Sequence, residues 1–452
     1  MQNKVYIIGI GGIGISAIAR YYLHIGYEVF GSDMCDSELI GELKKEGCKI
    51  IIGTSPHPSP LEEREFNLVI YTEAVPQNNP ELVKAKELNI KIQTYPESLA
   101  EIVNDKKLVA ISGTHGKSTT TSLTSLVLKN SPENVNAVIG TILKEFGNKN
   151  AYFSDSEYFI IEACEYKRSF LKYKPTVAVI INIEIDHLDY YKDLEDYISA
   201  YKEFLDNVKP GGFAILNGED ENCKKLLNLR EDINYIEIYS EYYTHPQPLP
   251  CKEGGKEKIH FPEINMKVPG EHILFDTKIA YVIGKMVGIE ENKVIKSLED
   301  YTGVWRRMEI IGKTQNNNTL MSDYGHHPTE IKLTLKALKN QQGGFSPLLT
   351  IFQPHQYNRT LELLEEFKNC FGDTDKLIVP NIYESRDSEE DKKKINSKKF
   401  VELINHPDKI DGENFKNTLK LIENWEQKNK NGIIILMGAG NIDDLRKKIK
   451  TN

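Results

Sequence analysis

A chain of 452 residues is too long for one ordinary hydrophobic core, so several domains are expected. Hydrophobic residues at 40% and charged residues at 27% fit a globular class, while a formal charge of -9 and no Lys/Arg run interleaved with aromatics argue against nucleic acid as a partner. Cys35, Cys48, Cys164, Cys223, Cys251 and Cys370 lack C-x-x-C spacing, which speaks against a zinc or disulfide framework; with no signal-like h-region and no membrane-length apolar run, a cytoplasmic protein without membrane insertion is expected.

Residues 4 to 33 read as strand (VYIIGI), glycine turn (Gly9-x-Gly11-Gly12-x-Gly14), helix (ISAIARYYLHIG) and strand (EVFGSD). Asp33 stands 19 positions beyond Gly14. Such a fingerprint marks a Rossmann-like site for a nucleotide or another diphosphate. Two further strands, NLVIYTEAV and NIKIQTY, complete a small parallel sheet, and Pro96 to Lys107 reads as a connecting helix and linker, so a first domain closes near residue 106.

The segment LVAISGTHGKSTTTSLTSLVL, from Leu108 to Leu128, then carries an apolar strand into Gly113-Thr114-His115-Gly116-Lys117-Ser118 and on into a helix. This is a phosphate-binding loop: glycines let backbone N–H groups close on phosphate oxygens, the helix N-terminus adds its dipole, Lys117 reaches the terminal phosphates and Ser118 can ligate Mg²⁺. The strands YFIIEAC and VAVIINIEIDH are apolar on both faces, as a covered parallel sheet requires. Their carboxyl ends bring Glu162 with Glu165, and Asn182, Asp186, His187 and Asp189, towards Lys117 and Ser118. Glu162 suits Mg²⁺, and His187 a phosphate or a second metal. Residues 241 to 258 read as a surface loop without helical or strand period.

Beyond Arg307 the alternation restarts as TLMSDY and a helix opening at Pro328, LLTIFQ and a helix after Arg359, KLIVP, and finally GIIILMGAG followed by IDDLRKKI. This is read as a third, Rossmann-like domain. Asp323, Tyr324, Gly325, His326 and His327 in SDYGHHPTE, with His355 and Arg359 in FQPHQYNRT, make a carboxylate or amine site in which Arg359 can grip a carboxylate bidentately.

Together GIGGIGISAIA, GSDMCDS, GTHGKSTTT, NIEIDHLDYY, WRRM, DYGHHPTE and FQPHQYNRT resemble, in order and over nearly the whole chain, the Mur ligases of peptidoglycan synthesis. Their alanine-adding branch is more similar than the branch that recycles a preformed peptide. The resemblance implies an α/β fold of three domains: residues 1–106, Rossmann-like, for a UDP-sugar; 107–307, a P-loop-type ATPase domain with a mostly parallel sheet; and 308–452, Rossmann-like, for the amino acid. It implies ATP and Mg²⁺ as cofactors, UDP-N-acetylmuramate and L-alanine as substrates, an acyl-phosphate intermediate, and a monomer or weak homodimer.

By the same resemblance Lys117, His187, Arg307, Asp323 and His326 are catalytic. Gly113, Thr114, His115, Gly116, Lys117, Ser118, Thr119, Asp276, Arg307 and Asp323 contact ATP, and Ser118, Glu162 and His187 bind metal. Gly11, Gly12, Gly14, Ser16, Asp33, Ser37 and Thr72 belong to the UDP-sugar site, and His326, His355 and Arg359 to the amino acid and the reacting carboxylate. Where such ligases carry a histidine-asparagine pair and a second asparagine three residues later, this chain has His272-Ile273 and Asp276. An aspartate accepts from the adenine amino group but does not donate to a ring nitrogen as an amide does. An NAD-dependent oxidoreductase, suggested by GIGGIG and Asp33, leaves GTHGKS, Glu162 and His187 unexplained, and a catalytically dead scaffold is at odds with retained Lys117, Glu162, His187, Arg307 and Asp323.

Overall fold

Apolar strands and amphipathic helices alternate from the N-terminus in the computed structural model, which describes residues 3–53, 61, 65–244, 258–268, 270–341, 347–385, 387–449 and 451. The first sheet contains β1 (Lys4–Ile8), β2 (Glu28–Asp33), β3 (Lys49–Ile52), β4 (Leu68–Tyr71) and β5 (Lys91–Thr94), all parallel in the order β3-β2-β1-β4-β5. Helices α1 (Ile13–His24), α2 (Glu38–Glu46), α3 (Pro80–Glu87) and α4 (Tyr95–Val103) connect or follow these strands. Connections leave β1 in both directions, which opens a crevice beyond the carboxyl ends of β1 and β4. Helix α4 starts where Thr94 and Glu97 form a reciprocal capping box.

The second sheet is built from β6 (Lys107–Ser112), β7 (Asn136–Leu143), β8 (Lys149–Tyr152), β9 (Tyr158–Glu162), β10 (Val177–Ile180), β11 (Phe213–Asn217), β12 (Asn234–Ile238), β13 (Tyr242–Thr244) and β14 (Lys258–His260). Its order is β14-β13-β12-β11-β10-β6-β9-β7-β8, parallel from β12 through β7 and antiparallel at both edges. Helix α5 (Lys117–Lys129) follows β6, and α6 (Leu194–Asp206) lies between β10 and β11.

The second sheet differs from the sequence expectation in two places. The strand read through His187 ends at Ile180, because the backbone of the next residues pairs with loops: Thr114 N–H donates to Asn182 O (3.2 Å), Glu184 N–H to Thr114 Oγ1 (3.0 Å) and Ile183 N–H to Asp220 Oδ2 (3.1 Å). The 241–258 segment is not all loop, since β13 and β14 pair antiparallel across Tyr243 and Ile259. Three-residue strands are too short to show a period, and residues 245–257 lie outside the described residues.

The third sheet holds β15 (Glu309–Lys313), β16 (Thr319–Asp323), β17 (Leu348–Phe352), β18 (Lys376–Val379), β19 (Lys409–Asp411) and β20 (Ile433–Met437) in the order β15-β16-β20-β17-β18-β19. Only the edge pair β15 and β16 is antiparallel. Helix α7 (Pro328–Gln341) opens at Pro328 as expected, whereas α8 (Tyr357–Glu362) contains Arg359 in place of following it. After β20 the chain forms a 3₁₀ segment, Asn441–Lys447, over most of IDDLRKKI. The three sheets make a three-domain α/β protein divided into two compact units: Met1–Ile264 with Asp276–Leu298, and Asn265–Phe275 with Glu299–Asn452.

Candidate active site

In the first unit, β6 delivers the chain into the phosphate loop and α5 leads it away. Gly116, the residue before α5, has φ of +83°, and a Cβ there would stand 2.8 Å from Asp276 Oδ1. Only glycine meets both demands without strain. The structure thus brings Asp276, 3% exposed, against the loop itself. Asn182 pins the loop from the next strand end: its Oδ1 accepts from His115 N–H (2.8 Å) and its amide donates to His115 O (3.1 Å). His115 Nε2 lies 3.1 Å from a Glu184 carboxylate oxygen, and Thr119 is buried in the first turn of α5.

Lys117 and Ser118 each face a carboxylate. Lys117 Nζ donates to Gly113 O, to Thr114 O (3.0 Å) and to Glu165, with carboxylate oxygens at 3.1 and 3.2 Å. Ser118 Oγ donates to Glu162 Oε2 (2.9 Å), which also accepts from Gly140 N–H (3.0 Å). Glu165, only 1% exposed, is 3.5 Å from His187 Nε2, accepts from Tyr197 Oη (3.3 Å), and its carbonyl accepts from Tyr191 Oη. Burial pulls the Lys117 ammonium down, but Glu165 beside it, with Cys164 and Glu162, more than offsets this and leaves it above the ordinary lysine value. Burial likewise raises the Glu165 carboxyl, and Lys117 and His187 bring it below the usual range. His187 itself sits at φ +56° with its ring 4.7 Å from that of Tyr166.

A cavity of about 1160 Å³ opens at the crevice of the first sheet. Gly11, Gly12, Asp33, Ser37 and Thr72 line it. Asp33 Oδ2 accepts from Gly11 N–H (2.8 Å), fixing the glycine turn, and Ser37 caps α2 by accepting from Ile40 N–H (3.2 Å). Gly14 and Ser16 do not line the cavity. Gly14 faces the Tyr95 ring, which a Cβ would approach to 3.0 Å, and the fully buried Ser16 donates to Ile13 O (2.8 Å) and accepts from Asn150 (3.0 Å). Their place in the fingerprint reflects packing of α1. Sequence reasoning missed Glu81 in the cavity wall, whose buried carboxylate accepts from Tyr6 Oη (2.6 Å) and Ser32 Oγ (2.5 Å). The Asn79-Pro80-Glu81 helix start was the available signal.

In the second unit, Asp323 ends β16 and is 4% exposed. Its carboxylate accepts from Met308 N–H and Gly325 N–H, both at 2.8 Å. Burial raises its carboxyl, against the lowering effect of Arg307 and these two donors. Arg307 reaches Glu330 (3.2 Å) and lies over the Tyr324 ring (5.1 Å). Glu330 Oε2 also accepts from His326 N–H (3.1 Å), while His326 Nδ1 is 3.2 Å from Tyr324 O. The rings of His326 and His355 are 6.2 Å apart, and His355 stacks on Tyr383 at 5.3 Å. Arg359 occupies the first turn of α8. Arg306, unassigned by the sequence, is 7% exposed and its guanidinium donates to Gly438 O and to Gly440 O (3.1 Å), tying the turn after β20.

The donor set around Ser118 fits a hard divalent cation, since hydroxyl and carboxylate oxygens stand together beside the phosphate loop. The sequence did not single out Tyr197 or Glu330 either. Tyr197 is one of two buried tyrosines on an amphipathic helix, indistinguishable by period from core, whereas Glu330 follows His327-Pro328-Thr329 as a capping acid does.

Residues 4–107, 111–283 and 306–440 match three family models, described as Mur ligase family, catalytic domain; Mur ligase middle domain; and Mur ligase, glutamate ligase domain. The chain is 37% identical over 456 residues to a UDP-N-acetylmuramate--L-alanine ligase of Acetivibrio thermocellus, covering 97% of this chain and 94% of the relative. A ligase of the same name from Clostridium botulinum is 36% identical over 398 residues, 86% of this chain and 85% of that one. Among solved structures, the UDP-N-acetylmuramate-alanine ligase of Thermotoga maritima has a TM-score of 0.77 at 25% identity, covering 99% and 98% of the two chains. A murein peptide ligase of Psychrobacter arcticus gives a TM-score of 0.68 at 19% identity with the same coverage, a likeness of fold alone.

Proposed function

Because the chain belongs to the Mur ligase family, we propose that it is an ATP-dependent ligase joining L-alanine to the lactyl carboxylate of UDP-N-acetylmuramate in peptidoglycan precursor synthesis. The observation carrying this reading is the pairing of Lys117 and Ser118 on the phosphate loop with Glu165 and Glu162 at the end of β9, in a chain 37% identical to a ligase of that name. The UDP-sugar is assigned to residues 1–106, ATP to 107–307 and the amino acid to 308–452.

A carboxylate is a poor acyl donor because oxide is a poor leaving group. Transfer of the γ-phosphoryl group from ATP to a lactyl oxygen gives an acyl phosphate and ADP. The neutral amine of L-alanine then attacks the acyl carbon, and the tetrahedral intermediate expels phosphate as the amide forms. Phosphoryl transfer asks the protein for positioning and charge neutralisation. Lys117 supplies a cation on a short tether to the loop, and the backbone N–H groups leading into α5 supply fixed dipoles. Ser118, Glu162 and His187 would hold Mg²⁺, which neutralises phosphate charge when bound. In the third domain His326, His355 and Arg359 are assigned to the amino acid and the reacting carboxylate, with Arg307 and Asp323 serving the nucleotide.

No helix among the described residues is long and apolar enough to cross a membrane. Phosphate release from ATP tests the function. It is expected to need both UDP-N-acetylmuramate and L-alanine; release sustained only by a tripeptide would assign the chain to the peptide-recycling branch instead.

A further inference from the structure

Tyr197 belongs to neither the phosphate loop nor the carboxylate set, yet its hydroxyl joins them. We propose that Tyr197 is a positioning residue for ATP, holding Glu165 and Thr114 in place so that Lys117 can leave Glu165 for the incoming phosphates. The proposal rests on the ATP reading of the phosphate loop.

Tyr197 is fully buried on α6, with Oη 3.1 Å from Thr114 Oγ1 and 3.3 Å from Glu165 Oε1. The protons can be placed. Thr114 Oγ1 donates to Glu184 O (2.7 Å) and accepts from Glu184 N–H (3.0 Å), so its own proton is committed. Tyr201 Oη donates to Tyr197 Oη (3.4 Å), which leaves the one Tyr197 proton for Thr114 and Glu165.

Lys117 is held by Gly113 O, Thr114 O and Glu165, so two of its three anchors belong to residues that Tyr197 touches. A carboxylate as buried as Glu165 is costly without a partner. When Lys117 turns to phosphate, Glu165 loses its closest cation and keeps the Tyr197 hydroxyl and His187. Tyr197 therefore lowers the cost of releasing Lys117 and keeps Thr114 from shifting as this happens. Its ring packs edge-on against Tyr191 (4.7 Å) and Tyr201 (5.4 Å), contacts that phenylalanine preserves.

The test is Tyr197→Phe in the full chain, read by calorimetric titration with ATP alone, by KM and kcat, and by thermal denaturation. Loss of a hydrogen bond to a charged group predicts a roughly tenfold rise in Kd and KM for ATP, with kcat at saturating ATP changed less than about threefold. Tyr201→Phe removes an equally buried hydroxyl that bonds neither Thr114 nor Glu165; Tyr197 loses only a long 3.4 Å donor and keeps its own proton for both, so the Kd is expected to stay within about twofold. Wild-type affinity in Tyr197→Phe, a fall in kcat with KM unchanged, or equal weakening in both variants overturns the proposal. Should Tyr197→Phe not fold, Tyr197→Met, which lacks the hydroxyl but fills much of the ring's space, is read in the same way, with unchanged ATP affinity the overturning result. A wild-type chain that does not bind ATP would instead overturn the reading of the loop, so the two failures are distinguishable.

Discussion

Lys117 and Glu165 have side chains 14% and 1% exposed, so a structural role and the proposed chemical one fall on the same pair. Substitution separates them. Lys117→Met takes the closest cation from the buried carboxylate, leaving it the Tyr197 hydroxyl and His187, and should cost about 3 kcal/mol of stability. Adding Glu165→Gln should restore most of that loss, because no buried charge then remains. Ligase turnover should stay at least about a thousandfold down in both variants, since neither supplies a cation to the phosphates. Denaturation and turnover measured side by side check this; recovered turnover in the double variant would contradict it. His272 offers a second test. Burial chiefly, with a smaller push from Arg307 against Glu330, lowers its imidazole from 6.5 to about 4. Between these values the unfolded chain binds a proton that the folded chain does not, so stability rises with pH across the window and falls as pH drops from 6.5 towards 4. The loss is at most about 3 kcal/mol. His272→Gln should flatten the stability profile in that window, and an unchanged slope would contradict the assignment.

At the scale of elements, the phosphate loop depends on a glycine at the start of α5. Gly116→Ala must accept φ of +83° and a Cβ 2.8 Å from Asp276 Oδ1. It should lose about 1 to 2 kcal/mol and most of its ATP affinity, as denaturant midpoint and ATP titration will report. Affinity and midpoint like those of the parent would refute this. The strand, loop and helix around Gly116 were legible in the sequence because each step has a local cause: an apolar run, paired glycines, then a helix. So was the first-sheet turn, but spacing did not reveal which residues face the crevice, so Gly14 and Ser16 read as ligands although one packs on Tyr95 and the other on Asn150. The run Ile181 to His187 looked like strand because its apolar residues continue those of β10. Its pairing with the loop around Thr114 is a long-range fact that no local pattern carries. Tyr197 was invisible for the same reason, its hydroxyl partners lying 83 and 32 positions away.

At the scale of the molecule, the order of motifs along the chain carried the family, and three sheets with their carboxyl-end crevices follow from it. The cavity of the first sheet is lined by residues between Ile8 and Glu87, with none from the phosphate loop. Lys117→Met should therefore bind UDP-N-acetylmuramate within about twofold of the parent chain by calorimetry, additivity being expected of separated sites. A large loss would show that the sugar nucleotide depends on the loop. Formation of an acyl phosphate is the step on which the proposed chemistry turns. It is tested most directly by mass spectrometry of the products from UDP-N-acetylmuramate labelled with ¹⁸O in the lactyl carboxylate, incubated with ATP and L-alanine. Acyl activation by ATP delivers one ¹⁸O atom to inorganic phosphate as the alanyl product forms. Alanyl product accompanied by unlabelled phosphate, or no product at all, would contradict it.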